Sequence, residues 1–280
     1  MTATSSASPL PRSFEVQYGF ARAQKAFRKL VVRMAHLRDD PNQFTEAQLR
    51  SNNRRMSSGR VFRFGPGSSS PSEHRPHHLF VFLHGCGATA QSMIPIAFRF
   101  QARFPSAALV VPSGFDPEAR GAAAQDWYPT RGLTTDNHRE RVAAVLPDVE
   151  DLVRREQTHF GVPASRTVLV GFSQGGTVAL EVVKTPGIAG AVVAFSSRFA
   201  RLPASGTRIA SRIHLVHGGY DSVVSRVHSE RAARVLLGLH VPVTLDIVED
   251  LGHSLTHHAI SLGSLRLLQG IYERRRATLH

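Results

Sequence analysis

The chain has one cysteine, one tryptophan and only three lysines in 280 residues. A single thiol excludes an internal disulfide framework and any cysteine-based zinc cluster, and it favours a reducing, cytoplasmic setting. Long apolar runs are missing too. Stretches such as Leu79 to Leu83 and Ala189 to Phe195 fall far short of the roughly 20 residues that a membrane-spanning helix needs. No internal repeat occurs, and no defined hydrophobic region marks a standard secretory signal near the start. The remaining composition, 42% hydrophobic and 20% charged, sets aside a wholly disordered, collagen-like or coiled-coil chain.

Acidic residues are scarce relative to basic ones, and the formal net charge is +13. Such an excess raises the question of nucleic acid. The surplus is uneven, however: residues 1–80 carry +8 and residues 81–280 only +5. No helix-turn-helix, zinc-finger or RNA-recognition signature accompanies it, so no nucleic-acid partner is expected.

Residues 1–58 read as an extension and residues 59–280 as one large domain. The first 13 residues have no periodicity, and in the stretch 18–38 Phe27, Leu30, Val31, Met34 and Leu37 recur at helical spacing among basic residues. This basic amphipathic helix has three open readings: packing on the body of the protein, lying on an anionic membrane surface, or targeting to an organelle. From Val61 onward, short β-rich runs alternate with helical patterns. Strands are expected near 61–64, 79–83, 109–111, 168–170, 191–195, 213–216 and 243–248, with helices near 91–104, 137–160, 174–183, 226–239 and 256–273. Strands apolar on both faces with helices between them predict an α/β fold, a mostly parallel sheet covered on both sides. Catalytic loops then leave the carboxyl ends of the strands.

Gly171-Phe172-Ser173-Gln174-Gly175 sits between an expected strand and an expected helix, the setting of a nucleophile elbow. A sharp strand-to-helix turn pushes the serine clear of the sheet, and the tight backbone tolerates only small neighbours. A serine hydroxyl is a weak nucleophile, so a histidine must take its proton and a carboxylate must orient that histidine. In the α/β-hydrolase order these follow the serine, acid first. Asp221 ends the Gly-rich turn after the strand near 213–216, and His253 lies on the loop after the last strand; Asp221 could alternatively cap the helix that follows. The oxyanion hole needs a second backbone N–H from an earlier loop. The segment His84-Gly85-Cys86-Gly87 provides it, so the expected donors are the backbone amides of Cys86 and Gln174, each worth roughly 2.7 to 4 kcal/mol. Cys86 is not expected to act as a nucleophile, because no elbow surrounds it.

His84-Gly85-Cys86-Gly87, Gly171-Phe172-Ser173-Gln174-Gly175-Gly176, His217-Gly218-Gly219-Tyr220-Asp221 and Asp250-Leu251-Gly252-His253 resemble the four landmarks of the phospholipase/carboxylesterase family of α/β-hydrolases, in the right order over about Leu79 to Leu268. Asp126-Trp127-Tyr128, Phe195-Ser196-Ser197-Arg198 and the stretch 244–253 look closest to its bacterial YpfH-like serine esterases. The resemblance implies a serine esterase acting on a small-molecule ester with no metal or organic cofactor. It also suggests that Trp127 and Tyr128, with Phe195 and Ser196, wall the acyl pocket; a core role for Trp127 is the alternative. Only about 16 residues separate Phe195 from Arg212, too few for a large cap, which favours small or medium acyl chains. Thioesters and lysophospholipids are alternative substrates of the same triad. A non-catalytic binding protein on this scaffold is the remaining competitor, and it would be expected to lack Ser173, Asp221 or His253.

Overall fold

The computed structural model describes residues 61–65, 75–115 and 126–277, all within the unit Ser57–His280. The extension 1–58, with its expected helix, lies outside the described residues. Among the described residues, seven strands form one sheet: β1 (Val61–Phe64), β2 (His78–Leu83), β3 (Ala107–Pro112), β4 (Thr167–Phe172), β5 (Ala191–Phe195), β6 (Arg212–Gly218) and β7 (Val243–Val248). Their order is β1-β3-β2-β4-β5-β6-β7, with β1 antiparallel to β3 and every other neighbouring pair parallel. Five helices connect them: α1 (Ala90–Arg103), α2 (Thr135–Phe160), α3 (Gln174–Val182), α4 (Val227–Gly238) and α5 (His257–Ala277).

Side chains alternate across each strand, and the sequence supplies apolar residues for both faces. Phe80 and Phe82 of β2, with Val168 and Val170 of β4, pack under α1 and α5. Leu79, Val81, Leu83 and Leu169 point the other way, into the layer formed by α2, α3 and α4. A strand buried on both sides cannot show polar alternation, which explains the continuous apolar runs. Helix α3 is buried at all nine positions. Helix α2 instead carries a single stripe, Val142, Val145, Val149, Leu152, Val153 and Glu156. Glu156 within that stripe receives Arg63 of β1 through two hydrogen bonds of 2.6 and 2.8 Å, which satisfies a carboxylate that burial would otherwise penalise.

Expected and observed elements differ mainly at their ends. Helix α2 starts at Thr135, two residues ahead of expectation, because Thr134 and Asn137 form a reciprocal capping box that satisfies orphan backbone donors. Strand β6 runs on to Gly218 because β7 continues to pair with it, Gly218 against Val248. These continuations carry the backbone to the edge where β2, β4, β6 and β7 end together.

His214 of β6 is buried with its Nε2 lacking a hydrogen-bond partner among the described residues, while Nδ1 meets Thr244 Oγ1 at 2.9 Å. Burial, then Arg212, lowers its pKa to about 4, whereas an unfolded histidine titrates near ~6.5. The unfolded state therefore takes up a proton between those values that the folded state refuses, so this contribution is complete above about pH 6.5 and is lost as pH falls toward 4. His214→Leu is expected to reduce the loss of stability between pH 7 and pH 4.5 by about 2 kcal/mol, as measured by urea denaturation. Equal losses in the two proteins would contradict this assignment.

Candidate active site

Ser173 follows β4 directly with φ 52° and ψ −115°, a left-handed φ that costs a non-glycine residue energy. The turn is held from both sides. Ser173 N–H donates to Phe195 O (3.0 Å), and Gly175 N–H donates to His84 O (3.1 Å). Side chains at the flanking glycines are excluded by contact: a Cβ on Gly171 would lie 2.5 Å from Gly175 O, and one on Gly175 would lie 2.3 Å from Leu83 O. The two glycines thus let α3 start against the end of β2, which brings Ser173 beside the loop 84–87.

His253 and Asp221 reach Ser173 from the ends of β7 and β6. Their loops are stitched together past the strands by Gly219 N–H to Val248 O (2.8 Å) and Tyr220 N–H to Leu251 O (3.0 Å). His253 Nε2 lies 2.9 Å from Ser173 Oγ, and His253 Nδ1 lies 2.8 Å from Asp221 Oδ2. A carboxylate can only accept, so Nδ1 carries the proton and Nε2 is left to accept from the serine hydroxyl. The imidazole also packs on Phe172, with ring centroids 5.0 Å apart.

The Asp221 carboxylate is wholly buried while His253 keeps 17% of its side chain exposed. Burial pushes the Asp221 pKa up, but the hydrogen bonds from His253 and from Val224 and Val223 N–H outweigh it, and the net value lies below the ordinary one. Asp221 does not cap α4, whose N-cap is Arg226. Its Oδ1 instead accepts Val223 N–H (3.0 Å) and Val224 N–H (2.8 Å), fixing the turn in which it stands. Behind it, the fully buried His217 donates from Nε2 to Val224 O (2.8 Å) and accepts Ser229 Oγ–H at Nδ1 (2.7 Å). Burial lowers the His217 pKa and keeps the ring neutral.

The loop after β2 places Cys86 and Gly87 at the surface. The backbone amides of Cys86 and Gln174 have no acceptor among the described residues, the latter because it opens a helix. The side chain of Gln174 is engaged at both ends: Oε1 accepts Trp127 N–H and Nε2 donates to Tyr128 O, both at 2.9 Å. Trp127 Nε1 donates to His84 O (2.8 Å).

The four residues expected to wall an acyl pocket are buried. Trp127 is 1% exposed, Tyr128 4%, Phe195 1% and Ser196 2%. Trp127 and Tyr128 belong to the core cluster under α2 and α3, the alternative role considered for Trp127. Their ring area is worth more buried than displayed, and the polar atoms of Trp127 find partners inside. Three sets of contacts gave no signal in the sequence: those of the Gln174 side chain, of His217 with Ser229 and of the Asp126 carboxylate. An apolar groove of about 370 Å³ lined by His78, Thr167, Ala191 and Leu267 lies at the amino ends of β2, β4 and β5, the opposite edge from this chemistry. Among the described residues, no group of three or more His, Cys, Asp or Glu side chains is placed to hold a metal ion.

The arrangement is one of α/β-hydrolase type, and the chain belongs to the phospholipase/carboxylesterase family, whose model matches residues 69–262. It is 40% identical over 183 residues to esterase YpfH of Escherichia coli (strain K12), covering 65% of this chain and 78% of that protein. It is 30% identical over 126 residues to acyl-protein thioesterase 1 of Cryptococcus neoformans var. neoformans serotype D, covering 42% of this chain and 52% of that one. Among solved structures, esterase PE8 superposes with a TM-score of 0.68 at 23% identity, over 76% of this chain and 99% of its own. At that identity the likeness concerns the fold.

The close approach at the elbow yields a direct test. Gly175→Ala places a methyl group against the Leu83 and His84 carbonyls, and overpacking against backbone should cost about 1 to 3 kcal/mol. A thermal melt indistinguishable from that of the parent would show that α3 can move away from β2.

Proposed function

We propose that this protein is a serine esterase that cleaves carboxylic esters of small or medium acyl chains, working as the hydrolase unit 59–280. The observation that carries it is the continuous relay from Ser173 Oγ through His253 to Asp221, with hydrogen bonds of 2.9 and 2.8 Å, at the elbow of a chain from this family. Ser173 Oγ attacks the ester carbonyl carbon as His253 Nε2 takes its proton, and Asp221 stabilises the resulting imidazolium. The carbonyl oxygen becomes an oxyanion, for which the amides of Cys86 and Gln174 are the donors. Collapse expels the alcohol, protonated by His253, and leaves an acyl group on Ser173. A water molecule deprotonated by the same imidazole then attacks the acyl carbon, releasing the acid and restoring the hydroxyl. No residue in this sequence of steps calls for a metal or organic cofactor. The single cysteine supports a cytoplasmic setting.

A thioester or a lysophospholipid fits the same machinery. The relation to an acyl-protein thioesterase favours keeping the thioester as a second reading, and an acyl-chain series on p-nitrophenyl esters and acyl-CoA separates the two by kcat/KM. Ser173→Ala should abolish hydrolysis and fluorophosphonate labelling while leaving the melting temperature intact, a loss on the order of 10⁶ in kcat. Activity within tenfold of the parent would remove Ser173 from the reaction. Asp221→Asn should lower kcat by about 10⁴, because an amide facing Nδ1 favours the wrong tautomer of His253; single-turnover acylation kinetics measure it.

A further inference from the structure

The segment Asp126 to Thr130 touches both places where the Cys86 and Gln174 amides, without acceptors among the described residues, stand. Asp126 Oδ1 accepts Gly87 N–H at 2.7 Å, and Asp126 Oδ2 accepts the Cys86 thiol at 3.2 Å and Thr130 Oγ1–H at 3.4 Å. The next two residues grip Gln174 by both ends of its side-chain amide, and Trp127 Nε1 also binds His84 O. Further along, Arg141 Nη1 holds Pro129 O (2.8 Å) and Arg131 O (2.7 Å). One short stretch of chain thus spans from the loop 84–87 to the start of α3, braced at its far end by α2.

We propose that Asp126 is a positioning residue for the oxyanion hole, its carboxylate consuming the Gly87 amide and the Cys86 thiol so that the Cys86 amide alone is left to serve the reacting oxygen. Two consecutive amides stand at the tip of an exposed loop, and only one can be used without the loop turning. A charged acceptor on the second amide makes that choice, because a hydrogen bond to a carboxylate is roughly twice as strong as a neutral one. Trp127 and Tyr128 then set where the second donor, Gln174, stands relative to the first. The Cys86 thiol reports on the same contact: burial, then its hydrogen bond to Asp126, raises its pKa. A thiol held in this way donates to Asp126 and is harder to ionise than a free one.

The proposal rests on the serine esterase reading, and the two can fail separately. Asp126→Ala should lower kcat on p-nitrophenyl acetate by about 10², the scale of a misplaced catalytic group, with KM within threefold and the melting temperature close to that of the parent. Asp126→Asn keeps an acceptor for Gly87 N–H and should recover most of kcat, to within about fivefold of the parent. In both variants the sole cysteine loses its charged acceptor, so iodoacetamide should alkylate Cys86 faster at pH 7.5, with the pH midpoint of alkylation shifted down. A kcat for Asp126→Ala within threefold of the parent, an Asp126→Asn as impaired as the alanine variant, or unchanged alkylation in both would each overturn the proposal. If Asp126→Ala does not fold, kcat and alkylation of Asp126→Asn decide alone. A parent protein with neither turnover nor fluorophosphonate labelling would defeat the esterase reading instead, and the alkylation arm still judges the Asp126 contacts.

Discussion

The carbonyl oxygen of His84 is the point on which the site depends. It accepts Gly175 N–H at 3.1 Å and Trp127 Nε1–H at 2.8 Å, so one backbone atom at the end of β2 ties together the elbow helix and the segment from Asp126 to Thr130. A carbonyl has two lone pairs, and here both are used. The glycine at 175 exists because nothing larger passes between α3 and the end of β2. His84 itself is fixed by Nδ1 to Gly85 O (2.9 Å) and by Gly114 N–H to its Nε2 (3.2 Å), so this oxygen is presented from a rigid base.

Around that point the site is an outcome of parallel pairing. Because β2, β4, β5, β6 and β7 run the same way, Ser173, Asp221 and His253 emerge at one edge although 80 residues separate the first from the last. Hydrogen bonds between successive loops extend the pairing past the strands, which holds the side chains without their being rigid themselves. Buried polar groups are satisfied in series: His217 secures the turn of Asp221, Asp221 orients His253, and His253 accepts from Ser173. Such a chain is costly only if broken, since an unpaired buried member meets the full penalty of desolvation.

Most of the fold was legible because both of its signals are local. Strands such as Val243–Val248 and Ala191–Phe195 stand where their apolar runs placed them, and α2 differs only by the capping box at Thr134. That Ser173, Asp221 and His253 stand at one edge of the sheet was legible for a different reason: each sits beyond a strand end, in a Gly-rich or turn-forming stretch. Pocket walls were not legible. Trp127, Tyr128, Phe195 and Ser196 were read as pocket walls, with a core role open for Trp127, and all four are buried; an aromatic residue near a site in sequence gives no indication of which side of the backbone it occupies.

The sequence by itself determined the alternation of strands and helices, the burial of the sheet on both faces and the placing of Ser173, Asp221 and His253 at strand ends, since these follow from periodicity, turn residues and order along the chain. Only the tertiary structure decided which polar groups hold the site together. That Asp126 takes Gly87 N–H, that Gln174 clasps Trp127 and Tyr128, and that His217 leans on Ser229 depend on contacts between segments 12 to 47 residues apart. Hydrogen bonds over such separations leave no period in the sequence; they are set by where the sheet brings the loops.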